Sequence, residues 1–573
     1  MRLFKVFLII SLFTNYLFGQ KLDNIWHIGD PGDKERPMVD SMWTAFSLNF
    51  NFEPMKLEYH IERKMKFDAT CSFICNDDGS LFCISNGMMI HNKDYGVMEK
   101  GDTINFGEFW KLWSYRYQDK EKYLGFTIPQ GMIMLPWPGS RDSIFYCTAY
   151  SDDKLEDVNL ASYGCIFKRI DNGRGGIVMK DKIFHQGALK NSVQAVRHAN
   201  GRDWWIILIE HTNEDFHFFL LDNLGLHAQG KQKIGLHHQG IFLGNASFSA
   251  DGNKFAHIDA LIWNNSTIIS LFDFDRCSGT LSNPVFDTIP TYEAGLGIGI
   301  SFSPNSRYLY ANNDYQLFQY DTGAKDVKAS RILLDTFDGF QSVPHESLYY
   351  TTFGYWATGP DGRLYNVSGY GTAKHIHIMH YPNEGGKEAA FRQHDLRIGN
   401  NHWSIPNFPH YRLGPLDGSP CDTLGLDNNP IAKYRYEADS IDYLRLRFTD
   451  LSYFRPETWS WDFGDGSPRV SMQSPYHTFA QKGSYNVCLT VSNENSSNTV
   501  CRTITLGTSS SDDESVSRAD ISLFPNPIQD FLLVTLGEYV PAYGQIMIYD
   551  ITGRLVITQR IYYGQNSVDM RGL

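Results

Sequence analysis

The chain has 573 residues, too many for a single core, and a prior of about 150 residues per domain puts three or four units in it. Hydrophobic residues at 42% and charged residues at 20% are those of a folded protein, while 14% aromatics, with 32 Tyr and 38 Phe, favour β-rich architecture. A net charge of −13 with no offsetting basic patch excludes nucleic acid as a partner, because phosphate binding needs a basic surface.

Residues 1–20 read as a secretory signal peptide. Arg2 and Lys5 supply positive charge, Val6 to Phe18 form a short apolar run, and Gly19-Gln20 gives a small-residue exit. No later run approaches the ~18–20 apolar residues of a membrane-spanning helix. The mature chain is therefore expected outside the cytoplasm with no transmembrane segment, where disulfides form. Of nine cysteines, Cys488 and Cys501 flank the polar turn Asn493 to Ser497 symmetrically, so a hairpin places them opposite one another and a disulfide is expected. Cys75 with Cys83 and Cys147 with Cys165 are further candidates. The spacings fit no zinc finger or knuckle.

Residues 21–413 contain an imperfect repeat. Ser247-Phe248-Ser249-Ala250-Asp251-Gly252-Asn253-Lys254-Phe255-Ala256 is echoed by Ser301-Phe302-Ser303-Pro304-Asn305-Ser306-Arg307-Tyr308-Leu309-Tyr310. Weaker echoes run from Asn76 to Phe82 and from Gly359 to Tyr365. Each is strand, tight turn, strand. A strand ending in an acidic turn follows the two clearest copies, at Leu271 to Asp275 and Leu317 to Asp321, and the period of about fifty residues signals a propeller or solenoid. Sheets that cannot bury both faces alone stack around an axis. Counting hairpins predicts six or seven blades, with seven preferred. The segment resembles the β-propeller repeats of TolB-like and WD-type proteins. It is also similar to the N-terminal region of multidomain secreted proteins of Bacteroidota. Sialidase-type propellers place a residue between Asp and Gly of their turn and a Trp after it; here Asp251-Gly252 and Asp361-Gly362 are adjacent and no Trp follows.

After a linker at 414–433, residues 434–506 read as a small sandwich. Leu444, Leu446 and Phe448 alternate with arginines, and Tyr485, Val487, Leu489 and Val491 alternate with polar residues. Trp461 and Phe463 fall on one face of an extended chain, and Gly464-Asp465-Gly466 breaks it. The run Trp461-Asp462-Phe463-Gly464-Asp465-Gly466, with Ser474 to Phe479 and Gly483 to Val487, resembles the PKD domain, an Ig-like module of extracellular proteins. That resemblance implies binding and spacing, not an active site.

Residues 507–520 are small, polar and acidic, so a flexible linker is expected. From Ile521 the chain resembles the type A sorting domain of the type IX secretion system, on Phe524-Pro525-Asn526-Pro527 and on Asp550, Thr552, Gly553 and Arg554 in a hairpin turn. The resemblance implies a small β-sandwich handled by the type IX machinery. The family continues with a G-x-Y strand and a lysine-containing strand, so this domain, 521–573, is expected to be truncated.

Few residues suggest chemistry. His375 and His377 share a face of a strand, with His380 beyond, a spacing some metal sites use, but a solvent-facing strand with Ile376 and Ile378 buried is the expected reading. His237-His238 faces opposite sides of any strand. Gly295 to Gly299 lacks the following helix that a phosphate loop needs, and reads as a thin strand near the propeller axis. Asp152-Asp153, Asp273 and Asp275 are expected in turns. Asp462 and Asp465 are the calcium candidates, weighed against turn-stabilising roles. Trp204, Trp205, Trp459 and Trp461 could stack on sugars, with burial the default. The sequence thus predicts an all-β secreted or cell-surface protein with no catalytic constellation and no required cofactor. Its propeller would present loops to an extracellular protein or polysaccharide; a polysaccharide-degrading propeller enzyme is the alternative.

Overall fold

The structure, a computed structural model, describes residues 21–29, 45–60, 62–116, 125–151, 158–212, 214–237, 244–261, 266–290, 297–342, 350–369, 371, 373–399, 401, 403–439, 442–506, 521–524, 531–536, 543–549, 555–562 and 564–569. The signal segment, the 507–520 linker and the sorting residues Pro525, Asn526, Pro527, Asp550, Gly553 and Arg554 lie outside them. The chain divides into two compact units, residues 1–478 with 485–503, and residues 479–484 with 504–573.

Up-and-down antiparallel meanders fill the first four hundred residues. Blade 1 has strands Ile25–Ile28, Phe46–Asn49 and Lys56–Tyr59; blade 2 has Ser72–Cys75, Leu81–Ser85 and Ile90–Asn92. Blades 3 and 4 form one seven-stranded sheet, because the long strand Gly176–Arg197 pairs with Val158–Phe167 through its first half and with Trp204–Glu210 through its second. Blades 5, 6 and 7 are four-stranded and begin at Gly244–Phe248, Gly299–Phe302 and Trp356–Thr358. Seven blades result among the described residues. Blade 5 buries both faces against its neighbours: Phe248, Phe255, Phe272 and Phe274 pack with blade 4 residues, and Ala256, Ile258, Ile269 and Leu271 with blade 6 residues. The helix Glu108–Arg116, the one α-helix among the described residues, buries Phe109, Trp110 and Trp113 between blades 2 and 3.

The repeated turn has one geometry. Gly252 N donates to Ser249 O, Ser306 N to Ser303 O, Gly362 N to Gly359 O and Gly79 N to Asn76 O, at 2.8–2.9 Å. The fourth turn residue has positive φ each time, 72° at Gly252, 62° at Ser306, 75° at Gly362 and 89° at Gly79, which explains glycine in three of the four copies. Neighbouring turns clasp: Asp251 N donates to Ser306 Oγ and Asn305 N to Asn383 Oδ1.

The ring is closed by residues 404–412. Ser404 Oγ accepts from Gly29 N at 3.0 Å, and Arg412 pairs with Asp23, so this segment runs antiparallel to Ile25–Ile28. It lies on the axial side, because Asn407 Nδ2 donates to Val193 O (2.8 Å) and Tyr411 Oη to Met134 O (2.7 Å), on the inner strands of blades 4 and 3. Pro406 and Pro409 lack N–H groups, so the segment is held by side chains instead of a full ladder.

The PKD-type sandwich pairs Tyr434–Ala438, Arg445–Asp450 and Tyr476–Thr478 in one sheet, and Thr458–Asp462, Gly483–Ser492 and Ser497–Leu506 in the other. Trp461 is fully buried against Tyr434 (5.1 Å between centroids) and Phe448 (5.3 Å), with Val487, Leu489 and Val491 completing the core. Cys488–Cys501 is a disulfide, and so is Cys277–Cys421, which the sequence reading did not anticipate. Cys75 and Cys83 are not bonded, nor are Cys147 and Cys165: all are buried free thiols. Register explains the miss, since Cys83 pairs with Ile74 and Cys147 with Tyr163. Beyond residue 520, strands Ile521–Phe524, Phe531–Leu536 and Gly564–Asp569 form one sheet and Tyr543–Tyr549 with Leu555–Tyr562 a hairpin.

Candidate functional site

A cavity of about 90 Å³ lies beside residues 406–412, lined by Gln130, Gln194, Ser247, Ser301, Thr358 and His410 among others. Its amides serve one another. Gln130 exchanges two hydrogen bonds with the Ala246 backbone, and Gln194 Nε2 donates to Asn407 Oδ1. This end of the axis is structural.

The other end is different. Gly299–Phe302 begins there, and Asp314 sits in the loop between Tyr308–Asn312 and Gln316–Asp321 of blade 6. Asn313 Oδ1 caps that loop by accepting from Tyr315 N and Gln316 N. Asp314 O accepts from Phe353 N, and its Oδ1 accepts from Gly297 N at 3.0 Å. The side chain is 4% exposed, and Oδ2 has no hydrogen-bond partner. Burial lifts its pKa to about 6, against the lowering by the Gly297 bond. Two glycines permit this crowding. A Cβ on Gly369 would stand 2.7 Å from Gly297 Cα and 2.9 Å from Asp314 Oδ1; one on Gly297 would meet Phe353 O at 2.1 Å.

The far side of Ser368-Gly369 carries two more side chains. Asn401 Nδ2 donates to Ser368 O at 3.0 Å, while its fully buried Oδ1 has no partner. Trp403 Nε1 donates to Gly369 O at 2.6 Å; its ring is half-buried and its φ is +57°. A bulky residue in the left-handed region is a backbone outlier held by its surroundings. Burial, and then the nearby Asp314 and Asp68, push the Tyr355 phenol pKa up. Two buried acceptor oxygens without donors, Asp314 Oδ2 and Asn401 Oδ1, thus lie close to Ser368-Gly369, below the rim.

The residues singled out from sequence mostly serve the fold. His375 and His377 are buried, not solvent-facing: His377 Nε2 donates to Thr352 O and its Nδ1 accepts from His394 N. Burial lowers their pKa values to about 3 and about 4. His380 has a carboxylate partner, Asp395, at 2.8 Å. His237 lies 3.3 Å from Glu214, and His238, Asp152 and Asp153 lie outside the described residues. Asp273 holds Lys254 and Asn283, and Asp275 accepts from Cys277 N and Ser278 Oγ. Trp204, Trp205 and Trp461 are buried, and Trp459 donates to Asp450 Oδ2. Asp462 accepts from Gly464 N and faces Arg469, while Asp465 accepts from Ser467 N and Oγ and faces His477. Among the described residues no group of three or more His, Cys, Asp or Glu could hold a metal ion. Asp314 was missed because Asn312-Asn313-Asp314 reads locally as one more polar turn; no pattern marks it.

Fold and site define a seven-bladed β-propeller protein with an Ig-like module and a small β-rich tail. Residues 430–507 match the PKD domain, and residues 522–573 match the secretion system C-terminal sorting domain. The latter makes this a protein handled by the type IX secretion machinery, exported and attached at the cell surface. Among the described residues no helix is long and apolar enough to cross a membrane. No curated protein matches the chain. Among solved structures, the PKD1 domain of the Vibrio cholerae metalloprotease PrtV is similar at 26% identity, over 14% of this chain and 98% of that one, with a TM-score of 0.13. A Bacteroides uniformis protein assigned as a 6-phosphogluconolactonase is similar at 12% identity, over 65% and 96% of the two chains, with a TM-score of 0.36. An oligogalacturonate lyase in complex with manganese is similar at 10% identity, over 59% and 82%, with a TM-score of 0.30.

Proposed function

We propose that this is a non-catalytic binding or adhesion protein of the cell surface, whose propeller recognises an extracellular protein or glycan at the rim bearing Asp314. One observation carries the reading: the two ends of blade 7 have different tasks. At one end, turn residues Pro360 and Arg363 and the His380 to Glu384 turn are bonded to the PKD domain, through Lys433, Glu437, Arg435 and Arg447. Strand Leu364–Val367 then crosses the blade to Ser368-Gly369, at the opposite rim, where acceptor groups lack donors. The PKD domain acts as a rigid mount and interaction module. A second reading, a polysaccharide-degrading enzyme, is favoured by Asp314 itself, since a carboxyl with a pKa of about 6 suits a general acid.

The test is a glycan and protein array probed with the full chain, followed by product analysis on every hit. Binding without turnover supports the proposal. Released oligosaccharide products overturn it in favour of the enzyme, and silence on both arrays overturns recognition altogether.

A further inference from the structure

We propose that the turn from Asp417 to Asp422, together with the side chain of Asn428, is a calcium site that braces the connection between propeller and PKD domain. The site goes beyond the binding reading above and does not depend on it.

Four oxygens of this short stretch have no hydrogen-bond partner: Asp417 Oδ1, Ser419 Oγ, Asp422 Oδ1 and Asn428 Oδ1. The backbone turns through Ser419 N to Leu416 O and Asp422 N to Ser419 O, each 3.0 Å, and Gly418 N donates to Asp422 Oδ2 at 3.2 Å. Both carboxylates are thus drawn to Gly418, Asp417 as its chain neighbour and Asp422 by that bond. Asn428, 0% exposed, reaches into the same turn, its Nδ2 donating to Asp417 Oδ2 and to Pro415 O, both at 2.9 Å. The hydrogen bonds that the two carboxylates accept come from neutral groups, Gly418 N, Asn428 Nδ2 and Asn495 Nδ2, so among the described residues no cation offsets their charge.

Buried polar atoms without partners are rare in folded proteins, and each calls for a partner of complementary chemistry. Carboxylate, hydroxyl and amide oxygens together are the ligands of a hard divalent cation. Calcium takes about six to eight of them and completes its shell with main-chain carbonyls and water, so two carboxylates suffice. The stretch offers no imidazole and no thiolate, since Cys421 is bonded to Cys277, which disfavours zinc and copper. Magnesium demands a stricter octahedron than a turn of mixed oxygens supplies. A single ion needs no ligand-sized cavity, and the turn lies at the surface: Gly418 and Pro420 are exposed, and Asp417, Ser419 and Asp422 half-buried. Its frame is set before an ion arrives, because Cys277–Cys421, Leu416 N to Ala199 O (2.8 Å) and Arg276 to Gly414 O tie the loop to blades 4 and 5. Asn428 O accepts from Asn493 and Asn495 of the PKD hairpin, so an ion held here braces propeller against sandwich.

Titration calorimetry of the chelator-treated full chain with calcium chloride tests the assignment. One ion per chain is expected, with a dissociation constant of about 10⁻⁴–10⁻³ M. Calcium at about 10 mM should raise the melting temperature by about 1–3 °C, and magnesium should do less. Asp417→Asn and Asp422→Asn keep the shape and the accepted hydrogen bonds but remove one charge each; each should weaken calcium binding about tenfold or more. Without calcium neither variant should melt below the unaltered protein, because each relieves like-charge repulsion, and this separates a lost ligand from misfolding. Asp462→Asn, in the PKD turn, should leave calcium binding unchanged. Binding that survives Asp417→Asn combined with Asp422→Asn overturns the site, and so does binding lost in Asp462→Asn, which would put the ion in the PKD turn. An equal response to magnesium overturns the choice of calcium. No binding at about 10 mM calcium also overturns the site and leaves water as the partner of these oxygens.

Discussion

Asp465 accepts from Ser467 N at 3.0 Å and from Ser467 Oγ at 2.6 Å, and meets His477 Nε2 at 2.7 Å. The His477 ring in turn stacks on Phe463, centroids 3.8 Å apart. Burial alone would raise this carboxyl, but the Ser467 and His477 bonds hold it at about 2. Its stabilisation is therefore complete above the unfolded value of 3.8 and lost as pH falls towards 2. Asp465→Ala should cost about 1–3 kcal/mol in urea unfolding at pH 7, more than Asp462→Ala, whose bonds are exposed. Asp314 has the opposite sign. Its raised pKa means the unfolded chain releases a proton first, so stability falls as pH rises from 3.8 to about 6. Asp314→Asn should gain roughly 2–3 kcal/mol at pH 7.5 and nothing at pH 3.5, a result that also certifies the variant as folded. The histidines of blade 7 act in a third way. His377 stays neutral in the fold down to about 4, whereas the unfolded side chain binds a proton near 6.5. Stability is then lost as pH drops through that window, and His377→Gln should flatten the loss between pH 6.5 and 4.5 by about 2 kcal/mol.

At the scale of elements, the closing segment carries the most. Strands within a blade are neighbours in sequence, but blade 1 is completed by residues nearly four hundred positions downstream, through Ser404 and Arg412. Asn407 is buried and its amide serves Val193 O, with Gln194 Nε2 donating to its oxygen. Asn407→Ala strips a buried carbonyl and a buried amide of partners and should cost about 2–4 kcal/mol. The measurement is urea unfolding of the full chain; a change under 1 kcal/mol would mean the segment is decoration. Here the sequence was partly legible. The propeller repeat showed in Ser249 to Gly252 and Ser303 to Ser306, because a tight turn needs particular residues at fixed short offsets. Ser404 to Arg412 showed nothing, because its two prolines break strand periodicity and its bonds are to distant strands.

For the larger unit, the junction between propeller and PKD domain decides behaviour. Glu437 Oε1 lies 2.7 Å from Arg363 Nη2 and 3.3 Å from Arg435 Nε, and Arg363 also meets Asp361 at 2.7 Å. Arg447 reaches Glu384 at 2.7 Å and lies over the Tyr381 ring at 3.7 Å. The intervening residues 414–433 are fastened by Cys277–Cys421 and by Arg276, which donates to Gly414 O. Removing one member of this partly buried ionic network leaves its partners uncompensated, so Glu437→Ala should cost about 1–3 kcal/mol. Calorimetry of the full chain should show propeller and PKD domain melting together, and Glu437→Ala should split the transition. Separate melting in the unaltered protein would show that the junction is weak.

What the sequence by itself determined is local. Alternation in Leu446, Phe448, Val487 and Leu489 marked the buried face of the PKD sandwich, the Trp461 to Gly466 run marked its turn, and the symmetric placing of Cys488 and Cys501 marked their bond. These features follow from side-chain periodicity and turn stereochemistry, which act over a few residues. Only the tertiary structure decided the rest: closure by residues 404–412, the Cys277–Cys421 bond, the ionic junction, and the placing of Asp314, Asn401 and Trp403 around Gly369. Each depends on chain segments far apart in sequence, and the pairing of distant residues leaves no periodic trace in one sequence.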